Sequence, residues 1–227
     1  MATRPVFYVN EKNDFSQIDI NFKWNAGFSK VQTHKNINAI HTTFLKQYPD
    51  AKILEVSSAA TDPDAIKASA FNLPVRTTHG VFTVEQAFQA GKFFKENGSQ
   101  NNLLNYSPQQ AKQIIKKINT NDQLVGFEEF GSKFPLEPKT YFYNWIYINA
   151  LTQKQNRNIS EKILQYNAFT DIYFNPDKSF NCQAQACSIF VSLVRQMKLK
   201  EALKSKDNFL EHVYGIKNND IKIGLEK

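Results

Sequence analysis

The sequence of 227 residues predicts a mixed α+β fold, mostly helical with a small β-sheet, built around one dominant domain. Three observations carry that expectation. Short runs with period-two alternation stand near the start, and longer segments with apolar residues at helical spacing follow. The hydrophobic content of 41%, with 19 Phe and 9 Tyr, is enough to bury a core, so the chain is not a disordered tail. Its length leaves little room for two large domains.

In chain order, residues 6–9, just after Pro5, read as a strand, and the alternating run 18–24 as a second. A helix over about 30–48 is closed by Pro49-Asp50, and a strand follows at 53–56. Residues 57–63 are small and polar and read as a linker or a loop between layers. Thr83, with Gln86 three residues later, forms a capping-box pattern that satisfies backbone N–H groups left free by a helical first turn. That helix is expected to run to about Glu96, where Asn97-Gly98 stops it. A helix over 108–118, a strand over 124–130 and an aromatic helix over 138–151 come next, and the polar run 153–158 reads as a loop. Residues 179–199, with Asn181 as a cap, read as a buried helix whose N-terminus is free to meet an anion. The remainder, 201–227, reads as a short outer helix.

A net charge of +7 favours polyanionic partners, because Lys and Arg that neutralise phosphates release counterions. The same excess also keeps a Phe-rich protein soluble, so charge does not choose between the two. The start lacks the apolar segment of a signal peptide, and no stretch reaches the roughly 20 apolar residues that span a bilayer; a cytoplasmic protein with no membrane partner is expected. Cys182 and Cys187 lie five apart, which suits neither a disulfide framework nor a zinc site. His34, His41, His79 and His212 are scattered, so no metal is expected.

On the helix after Thr83, a turn of about 100° per residue places Glu85, Gln89, Lys92 and Glu96 in one stripe, while Val84, Ala87, Phe88, Ala90, Gly91, Phe93 and Phe94 cover much of the rest. Most such stripes face water as weak Glu/Lys pairs. Here the surrounding sequence favours a buried acid–amide–base row. The segment ASAFNLPVRTTHGVFTVEQAFQAGKFF resembles the NADAR signature, in which a Ser-Asn-Phe turn precedes a Thr-Val-Glu-His helix start. Ser69 and Phe71 keep the turn, Ala70 replaces its Asn, and Gln86 replaces the His. GFEEFGSKFPLEPKTYFYNWIYINAL, YNAFTDIYFNPDKSFNCQAQA and FKWNAGFSKVQTHKNINAIH resemble the NADAR antitoxins associated with DarT-type toxins, and together the likeness covers most of residues 4–200.

That resemblance implies a NADAR/YbiA-like fold: an N-terminal βαβ-like extension of the antitoxin branch at 1–58, a catalytic domain at 59–200 and a C-terminal helical tail at 201–227. It implies an N-glycosyl hydrolase that removes ADP-ribose from guanine in DNA, with single-stranded DNA or an extruded guanine as substrate and ADP-ribose as product. A DarT-type toxin is the implied partner, and no cofactor is needed.

Glu85 is the candidate proton donor, on the expectation that an apolar setting raises its pKa. Lys92 is either a cation for phosphate or for Glu85, or an amine nucleophile forming a Schiff base. Asp171 stands where the wider family carries an acid beside the ligand, and an Asx-type turn explains it equally well. Ser179 and Asn181 precede a helix start fit for a pyrophosphate or for ordinary capping, with Asn175 in the turn before them. Arg76 either reaches a phosphate or sits in solvent. Phe134 replaces an expected Trp, which keeps a stacking surface and loses an N–H. Lys23, Lys30 and Lys35 either steer a DNA backbone or form a solvated face. Two other functions stay open: an N-glycosidase acting on riboflavin-pathway intermediates, and a non-catalytic antitoxin that binds the toxin or shields modified DNA.

Overall fold

The computed structural model describes residues 1–27, 29–129 and 131–217. In chain order the elements are β1 (Ala2–Val9), β2 (Phe15–Phe22), α1 (Lys30–Gln47), β3 (Ile53–Glu55), α2 (Pro63–Lys67), β4 (Pro74–Thr77), β5 (Gly80–Thr83), α3 (Val84–Ala90), β6 (Lys92–Phe94), β7 (Gly98–Ser99), α4 (Pro108–Ile118), β8 (Leu124–Glu129), β9 (Ser132–Phe134), α5 (Tyr141–Thr152), α6 (Arg157–Ile163), β10 (Ala168–Thr170), α7 (Gln183–Arg195), α8 (Leu199–Ala202) and α9 (Lys206–Tyr214). This is the mixed α+β fold with small sheets that the sequence predicts. Contacts divide it into two compact units: Met1–Ser69 with Lys154–Leu199, and Ala70–Gln153 with the chain from Lys200 onward. Among the described residues no helix is long and apolar enough to cross a membrane.

The first unit is built on a sheet of order β2-β1-β10-β3. β1 and β2 pair antiparallel over their whole length, from Ala2↔Phe22 to Val9↔Phe15. The turn between them is held by Asn10, whose side-chain oxygen accepts the N–H groups of Lys12 and Asp14 at 2.9 Å. Asn13 there takes a φ of 63°, a left-handed conformation that Asn tolerates better than most residues. Along these strands the period of two puts Val6, Ile20 and Phe22 into one core with Ile37, Ile40 and Phe44 of α1. β10 runs antiparallel to β1 (Phe7↔Phe169) and parallel to β3 (Phe169↔Leu54). α7, buried at nearly every position, packs against β1 and β10. The small polar stretch 57–63 lies inside this unit, where Asp62 caps α2.

The second unit contains the hairpin β4-β5, a sheet of order β7-β6-β8-β9, and helices α3, α4, α5 and α9. α5 is apolar on almost every side, as a helix enclosed all round must be. Its Phe142 stacks on Phe127 at 4.8 Å, and Phe88 and Phe134 lie against the same ring at 6.2 and 4.9 Å. The helix expected to run from Thr83 to Glu96 stops at Ala90, and residues 92–94 form β6 instead. Strand pairing overrides helical spacing here: Lys92 sits opposite Phe127, and the N–H of Glu128 donates to the Gly91 carbonyl at 2.7 Å. Gly91 permits this junction because a Cβ on it would lie 2.4 Å from the Phe142 ring. The strand expected over 124–130 is β8, with Phe130 outside the described residues. The outer helix expected in 201–227 is α9, and residues 218–227 of that expectation also lie outside them.

Candidate functional site

In the second unit, the start of α3 is fixed from both ends. Thr83 and Gln86 form the predicted capping box, with Gln86 N–H donating to Thr83 Oγ1 at 3.2 Å and Thr83 N–H to Gln86 Oε1 at 2.8 Å. The next N–H groups are taken by the preceding chain, Val84 by Leu73 O at 3.0 Å and Glu85 by Ala70 O at 2.9 Å. Glu85 and Gln89 follow one helical turn apart on a covered face, 5% and 4% exposed. Gln89 Nε2 donates to Glu85 Oε1 at 2.9 Å. The remaining oxygen of the amide, Gln89 Oε1, is buried and finds no hydrogen-bond partner among the described residues. A buried orphan acceptor costs free energy unless a bound donor satisfies it.

Lys92 joins this pair from the strand, not from the helix stripe that the sequence suggested. Its Nζ lies 5.0 Å from the centre of the Phe88 ring. Burial pushes its pKa down to about 8, against the pull of the Glu85 charge, and the Lys112 charge pushes the same way as burial. Glu96 does not belong to the group: it is exposed, and its N–H donates to the Asp122 carboxylate at 3.2 Å. In its place α4 supplies Lys112, whose Nζ lies 3.7 Å from Glu85 Oε1 and 5.1 Å from the Phe71 ring centre. The setting of Glu85 is therefore not the purely apolar one expected: an amide and an ammonium both meet its carboxyl group.

The other sequence-nominated residues of this unit lie elsewhere. Arg76 is exposed on β4, its backbone clamped by Gln153 through bonds of 2.7 and 2.9 Å. Phe134, expected to offer a stacking face, is 1% exposed and enclosed by Tyr141, Phe142 and Trp145, so its ring is a core element.

In the first unit, Ser69 is buried after α2, its N–H donating to Ile66 O at 3.1 Å. Asp171, Asn175, Ser179 and Asn181 share the loop between β10 and α7. Asp171 Oδ1 accepts the Tyr173 N–H and Asn175 Oδ1 the Asp177 N–H, each at 3.0 Å, so both make Asx turns. Ser179 Oγ donates to Asn181 O at 3.4 Å. The cap of α7 is Cys182, not Asn181, and it makes no side-chain cap bond. Asn181 Oδ1 is buried with no partner among the described residues.

Glu55 and His41, which the sequence did not nominate for the site, meet at Thr170 in this unit. Glu55, at the end of β3, is 5% exposed and accepts from Thr170 Oγ1 at 2.6 Å and from Ile172 N–H at 2.9 Å. His41 Nε2 lies 2.7 Å from the same Thr170 hydroxyl. The one signal was an acid at the end of an apolar strand, where ordinary strands carry none. Cys182 and Cys187 are buried and not joined in a disulfide, and burial pushes the Cys182 thiol well up. The unit also carries an open cleft of ≈ 860 Å³ beside Tyr48 and Arg195, which none of the nominated residues lines. Among the described residues no group of three or more His, Cys, Asp or Glu side chains is placed to hold a metal ion.

Compared with known families, the chain matches the model of the DarT1-associated NADAR antitoxins over residues 2–222. No curated protein matches it.

Proposed function

We propose that this chain, which belongs to the family of DarT1-associated NADAR antitoxins, is a glycohydrolase that removes ADP-ribose from guanine bases in DNA, and that it protects by erasing the product of a DarT-type ADP-ribosyltransferase. The observation that carries this reading is the buried Glu85–Gln89 pair with the half-buried Lys92, a lysine brought down to about 8 that feels the Glu85 charge. Such a pair suits cleavage of a ribose–nitrogen bond, where the base leaves poorly unless it receives a proton.

In the reaction, the neutral amine of Lys92 attacks C1 of the ribose. The bond from C1 to the exocyclic nitrogen of guanine breaks, its electron pair goes to that nitrogen, and Glu85 supplies the proton. The proton that Lys92 gives up passes through the Glu85 carboxylate to the ring oxygen as the ring opens to a protonated Schiff base at C1, and water hydrolyses that to free ADP-ribose and the amine, returning the proton to Glu85. The net change is substrate plus water to guanine plus ADP-ribose, with no redox cofactor. Gln89 Oε1, the orphan acceptor, takes a ribose hydroxyl. In the first unit, the resemblance gives Asp171 the role of a ligand-side carboxylate. The N–H groups at the start of α7, with Asn175, Ser179 and Asn181 on the same loop as Asp171, suit a pyrophosphate. The exocyclic amine of guanine lies inside the duplex, so the modified base enters unpaired or extruded.

The test compares oligonucleotides carrying one ADP-ribose on guanine or on thymine with a phosphorylated riboflavin-pathway N-glycoside. Release of ADP-ribose from guanine alone is expected. Cleavage of only the small metabolite would overturn the assignment of substrate. Borohydride added during turnover should leave an adduct on Lys92 in the mass spectrum, and its absence removes the covalent step.

A further inference from the structure

Asp171 stands between two residues that a single side chain holds. Glu55 Oε1 accepts the N–H of Ile172 at 2.9 Å, and Glu55 Oε2 lies 2.6 Å from the Thr170 hydroxyl. The Thr170 hydroxyl in turn lies 2.7 Å from His41 Nε2. All of these groups belong to the first unit. A hydroxyl carries one proton, so the chain His41–Thr170–Glu55 has two consistent directions. With Glu55 ionised, Thr170 donates to it and His41 donates to Thr170. With Glu55 protonated on Oε2, it donates to Thr170, and Thr170 donates to His41. Both directions leave His41 neutral, which matches a ring that burial lowers to about 4.

We propose that Glu55 is a positioning residue for Asp171: working as the neutral acid, it carries the proton of the Glu55–Asp171 pair, holds the Thr170 hydroxyl before Asp171 and the Ile172 N–H after it, and leaves Asp171 the carboxylate. This rests on the role given to Asp171 above. The groups facing Glu55 are consistent with it. Asp171 opposes a second negative charge, Cys182 at the start of α7 is a buried thiol, Ser57 and Thr170 contribute hydroxyls, and His41 reaches it through Thr170. Burial and the Asp171 charge raise Glu55 to about 8.

The first arm of the test needs no catalysis. A native-state value above the unfolded one gives stability that is fully present below the unfolded value and lost as pH rises through about 8. Relative to Glu55→Gln, the wild-type unfolding constant should therefore rise by about tenfold per pH unit between pH 5 and 8 and then level off. A ratio that stays flat over that range overturns the proposal. The second arm measures release of ADP-ribose from a singly modified guanine oligonucleotide. Glu55→Gln, which copies the neutral acid, should keep kcat within about threefold of the wild type at pH 7.

Glu55→Leu should lower kcat by about tenfold or more with little change in KM, and should add nothing in an Asp171→Asn background. A full effect of Glu55→Leu in that background, or a Glu55→Gln kcat that falls as far as that of Glu55→Leu, overturns it. If wild type releases no ADP-ribose while the stability arm behaves as expected, the proposed reaction fails and the proton assignment to Glu55 stands.

Discussion

Replacing Lys112 with Met removes the ammonium 3.7 Å from Glu85 and keeps an apolar stem over the Phe71 ring. Lys92 feels the two charges in opposite senses, since Glu85 holds its proton on and Lys112 helps to push it off. With burial the largest influence and a value of about 8, roughly a quarter of the molecules carry a neutral Lys92 at pH 7.5. The Lys112 side chain is 58% exposed, so solvent screens its influence. A screened charge of this kind is worth about 0.2–1 kcal/mol, at most about fivefold in a proton equilibrium.

If the neutral amine attacks C1, kcat rises with pH and levels off above about 8. Lys112→Met then shifts that rise to higher pH, so kcat falls by about two- to fivefold at pH 7 and equals the wild type at pH 9.5. Initial rates of ADP-ribose release over this range provide the measurement. A wild-type profile that falls through pH 8 would mean that the charged lysine is the working form. A deficit in Lys112→Met that is the same at every pH would remove the electrostatic link between the two lysines.

The remaining predictions concern the same group and its support. Gln89→Met deletes both the bond to Glu85 and the orphan acceptor, so it should weaken substrate binding by roughly tenfold in KM while costing little in urea-measured stability. An unchanged KM would mean that Gln89 does not meet the ligand. Gly91→Ala puts a methyl group 2.4 Å from the Phe142 ring, inside an aromatic cluster with no slack, and should destabilise the fold by about 1–3 kcal/mol in urea unfolding. Full stability would show that the junction between α3 and β6 can give way. Lys92→Gln should abolish borohydride trapping; an adduct that persists would place the nucleophile elsewhere.

The local half of the fold is legible from the sequence, and the non-local half is not. α1, α4 and the capping box at Thr83 follow from spacing and caps that a window of a few residues contains. β10 has three residues, and what makes it a strand is pairing with β1 and β3, over 110 positions away, which no local pattern encodes. The site shows the same division. Glu85 and Gln89 share a face because helical spacing puts them there, so periodicity finds them. Lys92 was nominated for the wrong geometric reason: Gly91 and the ladder to Phe127 end the helix first, and the strand delivers the lysine to the same acid. Nothing local marks Lys112, on the helix expected over 108–118, or Glu55, within the strand expected over 53–56. Their roles depend on which distant element meets them.

The central claim is that the Glu85–Lys92 pair cleaves the bond between ADP-ribose and guanine in DNA. The most direct measurement is single-turnover release of ADP-ribose from an oligonucleotide bearing one modified guanine, comparing wild type with Glu85→Gln. Wild type should release it, and the variant should be slower by about 100-fold or more, as the loss of a general acid predicts. Equal release by both, or none by either, contradicts the account.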